Sequence, residues 1–284
     1  MSLRELDLKP KVDLKDYTSI KIGGKAKQFF LVHALENLSQ IIKDFGPEFY
    51  LLGKGSNLLI SDQIINQPVV KLSQEFDYIR KADNYLEAGA ATTLSRLLTY
   101  CRENNLGGLE NLVGIPASVG GLLFMNGSSY GSCISSALAE VEVLDRKGKR
   151  ATLAKEQIEF GYRFSSLQDK VIVKARFNFS GSKFSEQKMR ESLNKRFRSQ
   201  DLNFPSCGSI FKNPAEFSAG HLIDSCTLKG LKKGDAQISL KHANFIINLR
   251  SAKYDDVDYL IRKIKEEVYK KYSIILEEEI KRWT

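Results

Sequence analysis

Residues 114–131 read GIPASVGGLLFMNGSSYG, and the rest of the chain is interpreted around them. The stretch holds five glycines and one proline and is apolar at its centre. It has neither the 3.6-residue period of a helix nor the alternation of a strand. Glycine at this density costs backbone entropy, so it is kept where the chain turns sharply or a ligand comes close to the main chain. The small residues Ala117, Ser118, Gly120 and Gly121 leave main-chain N–H groups unshielded, which is how phosphates are cradled. Taken alone, the stretch fits a buried turn between two strands as well as it fits such a cradle.

Composition narrows the surroundings. The 284 residues suffice for one large domain or two to three modest ones. A hydrophobic share of 42% with 27% charged residues is that of a soluble globular protein. No apolar run approaches a membrane span, and the charged opening MSLRELDLKPKVDLKD has no signal-peptide core. A cytoplasmic protein without a membrane partner is expected. Cys101, Cys133, Cys207 and Cys226 form no C-x-x-C pair and no zinc-like spacing, so they read as reduced thiols packed as small apolar groups. With no H-E-x-x-H among His33, His221 and His242, no bound metal is expected. The net charge of +9 lies largely in helix-like segments, 188–198 and 262–271, where acids are interspersed. No helix-turn-helix, RNP-type aromatic pair or zinc finger accompanies it. The charge therefore reads as a solvated surface or an attraction for small polyanions, with no nucleic-acid partner.

Along the chain, residues 17–31 show two strand-like pieces about Gly23-Gly24, a hairpin signal. Residues 35–44 have helical spacing. In 48–62, EFYLLGKGSNLLISD, a β-type run enters Gly53-Lys54-Gly55-Ser56-Asn57 and another leaves it. This is half a dinucleotide fingerprint, but Leu58 stands where the third glycine belongs and no helix follows, which disfavours a Rossmann unit. A strand–loop–strand phosphate cradle and a plain hairpin loop both remain. Strands are expected at 68–72 and 85–88, a helix at 93–105, strands over 138–154 about Lys147-Gly148, and a strand at 171–179. Residues 181–188, GSKFSEQK, have linker character. Beyond them come a basic helix at 188–200, a helix or turn at 219–224, a strand near 243–249, a helix at 255–271 and a final strand at 274–280.

Nine motifs follow one another in the chain. They are I-x-I-G-G (20–24), G-x-G-S-N-L-L (53–59), G-I-P-x-x-V-G-G (114–121), M-N-G-x-x-Y-G (125–131) and Y-R-x-S (162–165), then G-S-I-F-K-N-P (208–214), A-G-H-L-I-D (219–224), H-A-N-F-I-I-N (242–248) and L-E-E-E-I (276–280). From about Tyr17 onward the chain thereby resembles the UDP-N-acetylenolpyruvoylglucosamine reductase family, FAD enzymes of peptidoglycan precursor synthesis, in its compact subtype. The resemblance implies an α+β fold of the vanillyl-alcohol-oxidase type. Two FAD-binding subdomains, 1–75 and 76–182, would precede a C-terminal substrate-binding domain, 183–284. It implies a monomer with non-covalent FAD, NADPH as reductant and UDP-N-acetylglucosamine enolpyruvate as substrate. Gly53, Gly55, Ser56, Asn57, Gly114, Ile115, Ser118, Gly120 and Gly121 would contact FAD through backbone N–H groups, which turns the opening stretch towards a ligand.

Reduction of an enolpyruvyl ether needs a hydride at one carbon, a proton at the next, and stabilised negative charge between the two events. By resemblance, Ser209 would protonate C2, and Arg163 would face the developing charge. Glu279 would assist while protonated or sharing a proton, which asks for a raised pKa. Tyr162, Lys212, Asn213 and His242 would lie on the substrate side, with Asn244 beside His242; His242 fits a loop-holding role equally. Outside the family pattern, Arg163 reads as a surface ion pair, Glu277–Glu279 as a solvated charge run and Ser209 as a turn residue. The chain departs from the pattern at Glu278, where the family has proline, at Tyr17, at Ala117-Ser118, and at Gly127-Ser128-Ser129, where the family has Ala-Gly-Ala. Two rivals stand beside this reading. An FAD-dependent oxidase of a sugar or alcohol would share the glycine loops without needing Ser209, Arg163 and Glu279 together. A non-enzymatic basic nucleic-acid-binding protein would leave the glycine loops unexplained.

Overall fold

The computed structural model describes residues 7–82, 85–179 and 181–284. A charged strand, β1 (Asp7–Asp13), lies beside β2 (Lys25–Val32); then come α1 (Leu35–Phe45), β3 (Tyr50–Leu51), β4 (Leu58–Ile60) and β5 (Val69–Leu72). They form a sheet in the order β1-β2-β5-β3, in which β5 runs parallel to both β2 and β3. Pro10 and the lysines of β1 suit an edge strand, since proline cannot donate to a ladder and charge discourages further pairing. Leu38, Ile41 and Ile42 on one face of α1 pack with Phe30, Val32 and Val70 of the sheet.

The next elements are β6 (Ile79–Ala82), β7 (Tyr85–Gly89), α2 (Leu94–Glu103), α3 (Val119–Met125) and two short hairpins. The hairpins are β8 (Ser128–Ser129) with β9 (Ser132–Cys133), and β12 (Phe160–Gly161) with β13 (Phe164–Ser165). With β10 (Leu138–Leu144), β11 (Arg150–Ala154) and β14 (Val171–Phe177), the strands β6 and β7 build a five-stranded antiparallel sheet, β11-β10-β14-β7-β6. Alternation along β7, β10 and β14 turns Leu86, Ala88, Val141, Val143, Ala175 and Phe177 onto one face, where they bury Leu94, Leu97, Leu98 and Cys101 of α2 and Val119, Leu122 and Leu123 of α3.

The remaining elements are α4 (Glu186–Ser199), β15 (Ser206–Ser209), α5 (Ala219–Ser225), β16 (Lys232–Lys233), β17 (Ala236–Ile238), β18 (Phe245–Asn248), α6 (Tyr254–Tyr272) and β19 (Lys281–Trp283). An antiparallel sheet in the order β15-β18-β17-β16 packs on the apolar face of α6, formed by Val257, Leu260, Ile261, Ile264 and Val268. β19 runs parallel to β4. Helices with largely antiparallel sheets make the expected α+β fold.

The chain divides into two compact units. The first comprises residues 7–10, Gln28–Lys54 and Gln67–Asn194; the second comprises Lys11–Lys27, Gly55–Asn66 and Lys195–Thr284. The first contains two separate hydrophobic cores and the second contains one, to which Ile20, Ile22 and Leu59 contribute.

Three expectations need correction. The hairpin at 17–31 does not form: Leu14–Tyr17 is a 3-10 turn, and β2 pairs with β1 and β5. Gly24 is instead a contact glycine, where a Cβ would stand 2.0 Å from the Gln63 carbonyl oxygen. The final strand lies later than expected, at Lys281–Trp283; within 274–280 a single bridge, Phe211 to Glu278, is made. The tract 181–188 is docked rather than a free linker, because Gly107 N donates to Ser182 O (2.9 Å), Phe184 N to Asn105 Oδ1 (3.1 Å) and Ser185 N to Glu110 Oε1 (2.9 Å).

Candidate functional site

In the first unit, β3 delivers the chain into Gly53. A Cβ there would stand 3.3 Å from Ser118 Oγ, so this turn lies against the start of α3. Lys71 of β5 donates Nζ to Gly53 O at 3.0 Å. Burial, and then repulsion from Lys54, lowers the pKa of Lys71. Ser118 caps α3, its Oγ accepting from Gly121 N at 3.3 Å. Gly120 N donates to Ala90 O (2.9 Å), Val119 N to Thr92 O (2.8 Å) and Ile115 N to Leu112 O (3.2 Å). Three N–H groups expected to face a ligand, those of Ile115, Gly120 and Gly121, are thus engaged within the protein. Gly120 is needed instead for close packing, since a Cβ would lie 3.1 Å from Ala90 Cβ. Among the described residues, the amides of Gly53, Lys54, Gly114 and Ser118 have no protein acceptor, although Ser118 is buried.

Arg163 sits at the tip of a two-residue turn joining β12 and β13, with φ 56. That left-handed conformation costs a non-glycine residue about 1–2 kcal/mol. Its Nη1 donates to Ser128 Oγ at 2.6 Å, and its guanidinium carbon lies 5.1 Å from the Tyr162 ring centroid. A hydrogen bond from a charged donor is worth about 1.5–3 kcal/mol, enough to offset the strain. Buried Asn126, the left-handed cap of α3, ties this hairpin down: its Nδ2 donates to Gly161 O (3.0 Å), and its Oδ1 accepts from Ser135 Oγ (2.7 Å).

In the second unit, Ser209 ends β15. From Ser206 opposite Ile247 to Ser209 opposite Phe245, β15 gains a residue on β18, which is a bulge. Gly208 carries it with φ 77; a Cβ there would meet nothing within 4 Å, so the backbone angle, and not space, requires glycine. Just past Ser209, buried Asn244 clamps the chain. Its Oδ1 accepts from Phe211 N (2.9 Å), its Nδ2 donates to Phe211 O (2.8 Å), and its main-chain oxygen accepts from Ile210 N (2.9 Å). The segment 277–279 runs along the other side, with Glu279 N on Ile210 O (2.8 Å) and Lys212 N on Glu277 O (2.9 Å). Asn57 holds this segment too: its Nδ2 donates to Glu279 O (3.1 Å), and its main-chain oxygen accepts from Lys281 N (2.9 Å). The structure therefore brings Ser209, Asn57 and Glu279 into one strip of paired backbone. Gly55 is fixed by φ 64 and by the Tyr17 carbonyl, which a Cβ would approach to 2.0 Å. Among the described residues, the amides of Gly55, Ser56 and Asn57 have no protein acceptor.

The three glutamates separate cleanly. Glu278 binds Lys265 (2.5 Å) and Arg282 (2.7 Å). Burial would raise its carboxyl, but the hydrogen bonds from Arg282 and Lys265 outweigh burial and hold it below the ordinary glutamate range. Exposed Glu277 pairs with Lys212. Glu279 is the carboxylate whose main chain lies opposite Ile210, next to Ser209. Asn213 Oδ1 accepts from Ala219 N at the start of α5 (3.0 Å). His242 Nδ1 accepts from Asn244 N (3.3 Å), and burial, with the charge of Lys229, lowers its pKa. This contact lies within the ring's own loop.

A family model for the UDP-N-acetylenolpyruvoylglucosamine reductase C-terminal domain matches residues 200–283, and a model for an FAD binding domain matches 31–154. A UDP-N-acetylenolpyruvoylglucosamine reductase of Thermotoga sp. (strain RQ2) is 40% identical over 278 residues, which cover 95% of this chain and 91% of that one. The enzyme of that name from Halalkalibacterium halodurans is 37% identical over 98% of this chain and 96% of its own length. The chain belongs to the UDP-N-acetylenolpyruvoylglucosamine reductase family. Among solved structures, that of UDP-N-acetylenolpyruvylglucosamine reductase from Thermus caldophilus is similar with a TM-score of 0.86 and 35% identity, covering 98% of this chain and 100% of that one.

Within the family's domains, Ser209 and Glu279 fall in the C-terminal match, while Gly53–Asn57 and Gly114–Gly121 fall in the FAD-binding match. Arg163 falls in neither. Within the first unit, the orphan amides of Gly53, Lys54, Gly114 and Ser118, the last on a buried residue, fit a group rich in anionic oxygens such as the FAD diphosphate. Sequence reasoning missed Ser128 and Asn126, and it offered Asn244 as a residue lining the site without its clamp on Phe211. The available signal was a polar residue set in an otherwise apolar run, as in M-N-G and H-A-N-F.

Proposed function

We propose that this protein reduces UDP-N-acetylglucosamine enolpyruvate to UDP-N-acetylmuramate with NADPH, in peptidoglycan precursor synthesis. The observation that carries the reading is the strip that sets Ser209 and Glu279 on paired backbone, in a chain that belongs to this reductase family. Residues 1–75 and 76–182 are assigned to FAD and 183–284 to the substrate. Bound FAD supplies hydride chemistry, relaying reducing equivalents from NADPH to C3 of the enolpyruvyl group. Gly53, Gly55, Ser56, Asn57, Gly114 and Ser118 would hold it through their unengaged amides, with Ile115, Gly120 and Gly121 shaping the loop beside them.

Ser209 is assigned to proton delivery at C2. A serine is a weak acid, so this role rests on its being held still, which the bulge at Gly208 and the Asn244 clamp favour. Arg163 is assigned to the substrate carboxylate and the enolate charge that develops beside it, because a guanidinium stays protonated and forks onto carboxylates. Glu279 is assigned to share that task, protonated or sharing a proton. Lys212 is assigned to the UDP diphosphate, exchanging Glu277 for it. Tyr162, Asn213 and His242 shape the substrate side.

The test uses purified protein under anaerobic conditions, with the flavin colour followed in two half-reactions. NADPH should bleach the wild type and the enolpyruvyl substrate should restore its colour. Ser209→Ala should bleach at the normal rate and recover at least about a hundredfold more slowly. Unchanged recovery would remove Ser209 from proton delivery. Recovery by oxygen alone would favour the oxidase.

A further inference from the structure

We propose that Ser128 is the positioning residue for Arg163, fixing the direction in which its guanidinium points during the reaction. The inference rests on the role given to Arg163 above. The main chain of Arg163 is set by its two-residue turn, with Gly161 paired to Phe164 on either side. Its side chain is long and rotamer-rich, and a charge that wanders among rotamers stabilises a transition state poorly. Ser128 Oγ, 2.6 Å from Nη1, takes one end of the guanidinium fork, and the Tyr162 ring lies beside it. Ser128 O lies 3.4 Å from the same nitrogen.

Ser128 is itself rigidly mounted. It pairs with Cys133 in the β8–β9 hairpin, whose turn residues Tyr130 and Gly131 both have positive φ, the pattern of a tight hairpin turn. Before it, Gly127 sits so close to α3 that a Cβ would lie 2.4 Å from Leu122 Cδ2. Asn126 then links this segment to the Arg163 hairpin through Gly161 O. Both partners of the hydrogen bond therefore stand on short, mutually anchored hairpins. Ser128 touches neither reacting atom in this scheme; it acts through Arg163.

The experiment compares Ser128→Ala and Ser128→Thr in the wild-type and Arg163→Ala backgrounds, using flavin-loaded protein. Ser128→Ala should slow recolouring by substrate about tenfold while leaving bleaching by NADPH unchanged, and Ser128→Thr should restore the rate by keeping the hydroxyl. In the Arg163→Ala background the same change should alter the rate less than about twofold. The guanidinium NMR signal of Arg163, slowly exchanging in the wild type, should broaden in Ser128→Ala and persist in Ser128→Thr. An Arg163 signal indifferent to Ser128→Ala would overturn the proposal, as would equal slowing in both backgrounds. If the signal responds as expected but Arg163→Ala recolours at the wild-type rate, the role given to Arg163 fails, and with it the catalytic meaning of the contact, while the contact itself stands.

Discussion

Glu87 is a tightly held charge in the first unit. Its carboxylate is fully buried and accepts hydrogen bonds from Arg80 (2.6 Å), Lys174 (3.0 Å) and Arg176 (2.9 Å). Burial would raise its pKa, yet the hydrogen bonds from Lys174, Arg176 and Arg80 win and hold it down to about 2. A depressed carboxylate stabilises the fold fully above its unfolded pKa, and that contribution is lost as pH falls through its folded pKa. The drop from the ordinary glutamate value is worth about 3 kcal/mol. Stability measured by urea unfolding should therefore decline between pH 5 and about pH 2. Glu87→Gln should be less stable at pH 7, because Arg80, Lys174 and Arg176 lose the buried negative charge they share, and its profile should be flatter below pH 5. An equally steep acid limb in Glu87→Gln would place the titrating group elsewhere.

At the scale of elements, two glycines of the second unit make a matched pair. Gly55 and Gly208 both have positive φ, but only at Gly55 would a Cβ overlap backbone, that of Tyr17. Gly208→Ala should cost about 1 kcal/mol and Gly55→Ala about 2–4 kcal/mol, read as separate shifts in the thermal midpoint. Similar shifts would mean that the Tyr17 contact yields easily. These elements also show what the chain reveals on its own. The helices α1, α2 and α6 are legible because each buries several apolar residues on one face. The helix α3 is not, since Gly120 and Gly121 mask its period and its start depends on the Ser118 cap. Ser209, Arg163 and the glutamates are legible as residue types in motifs. Their supports are not: Asn244 reaches 33 positions to Phe211, Ser128 lies 35 from Arg163, and Asn57 lies 222 from Glu279. Hydrogen bonds over such separations leave no period to read.

For the whole molecule, the relevant fact is that the second unit is assembled from three stretches of chain. The family's C-terminal domain, residues 200–283, supplies most of its core but lacks Ile20, Ile22 and Leu59, and it lacks β4, the parallel partner of β19. Expressed alone, that piece should be a loose state, with poor NMR dispersion and dye binding to exposed apolar surface. A well-dispersed spectrum from residues 200–283 would show that the earlier segments are dispensable.

The same interleaving has a consequence for biosynthesis. Lys11–Lys27 and Gly55–Asn66 leave the ribosome early, and all of Gln67–Asn194 is made before their partners from Lys195 onward appear. At about 5–20 residues per second, that is a wait on the order of ten seconds. Through it, Ile20, Ile22 and Leu59 have no core to enter, while the neighbouring unit already has the chain it needs to close. These early segments are thus natural clients for a chaperone that works on nascent chains, and conditions that slow translation lengthen their exposure.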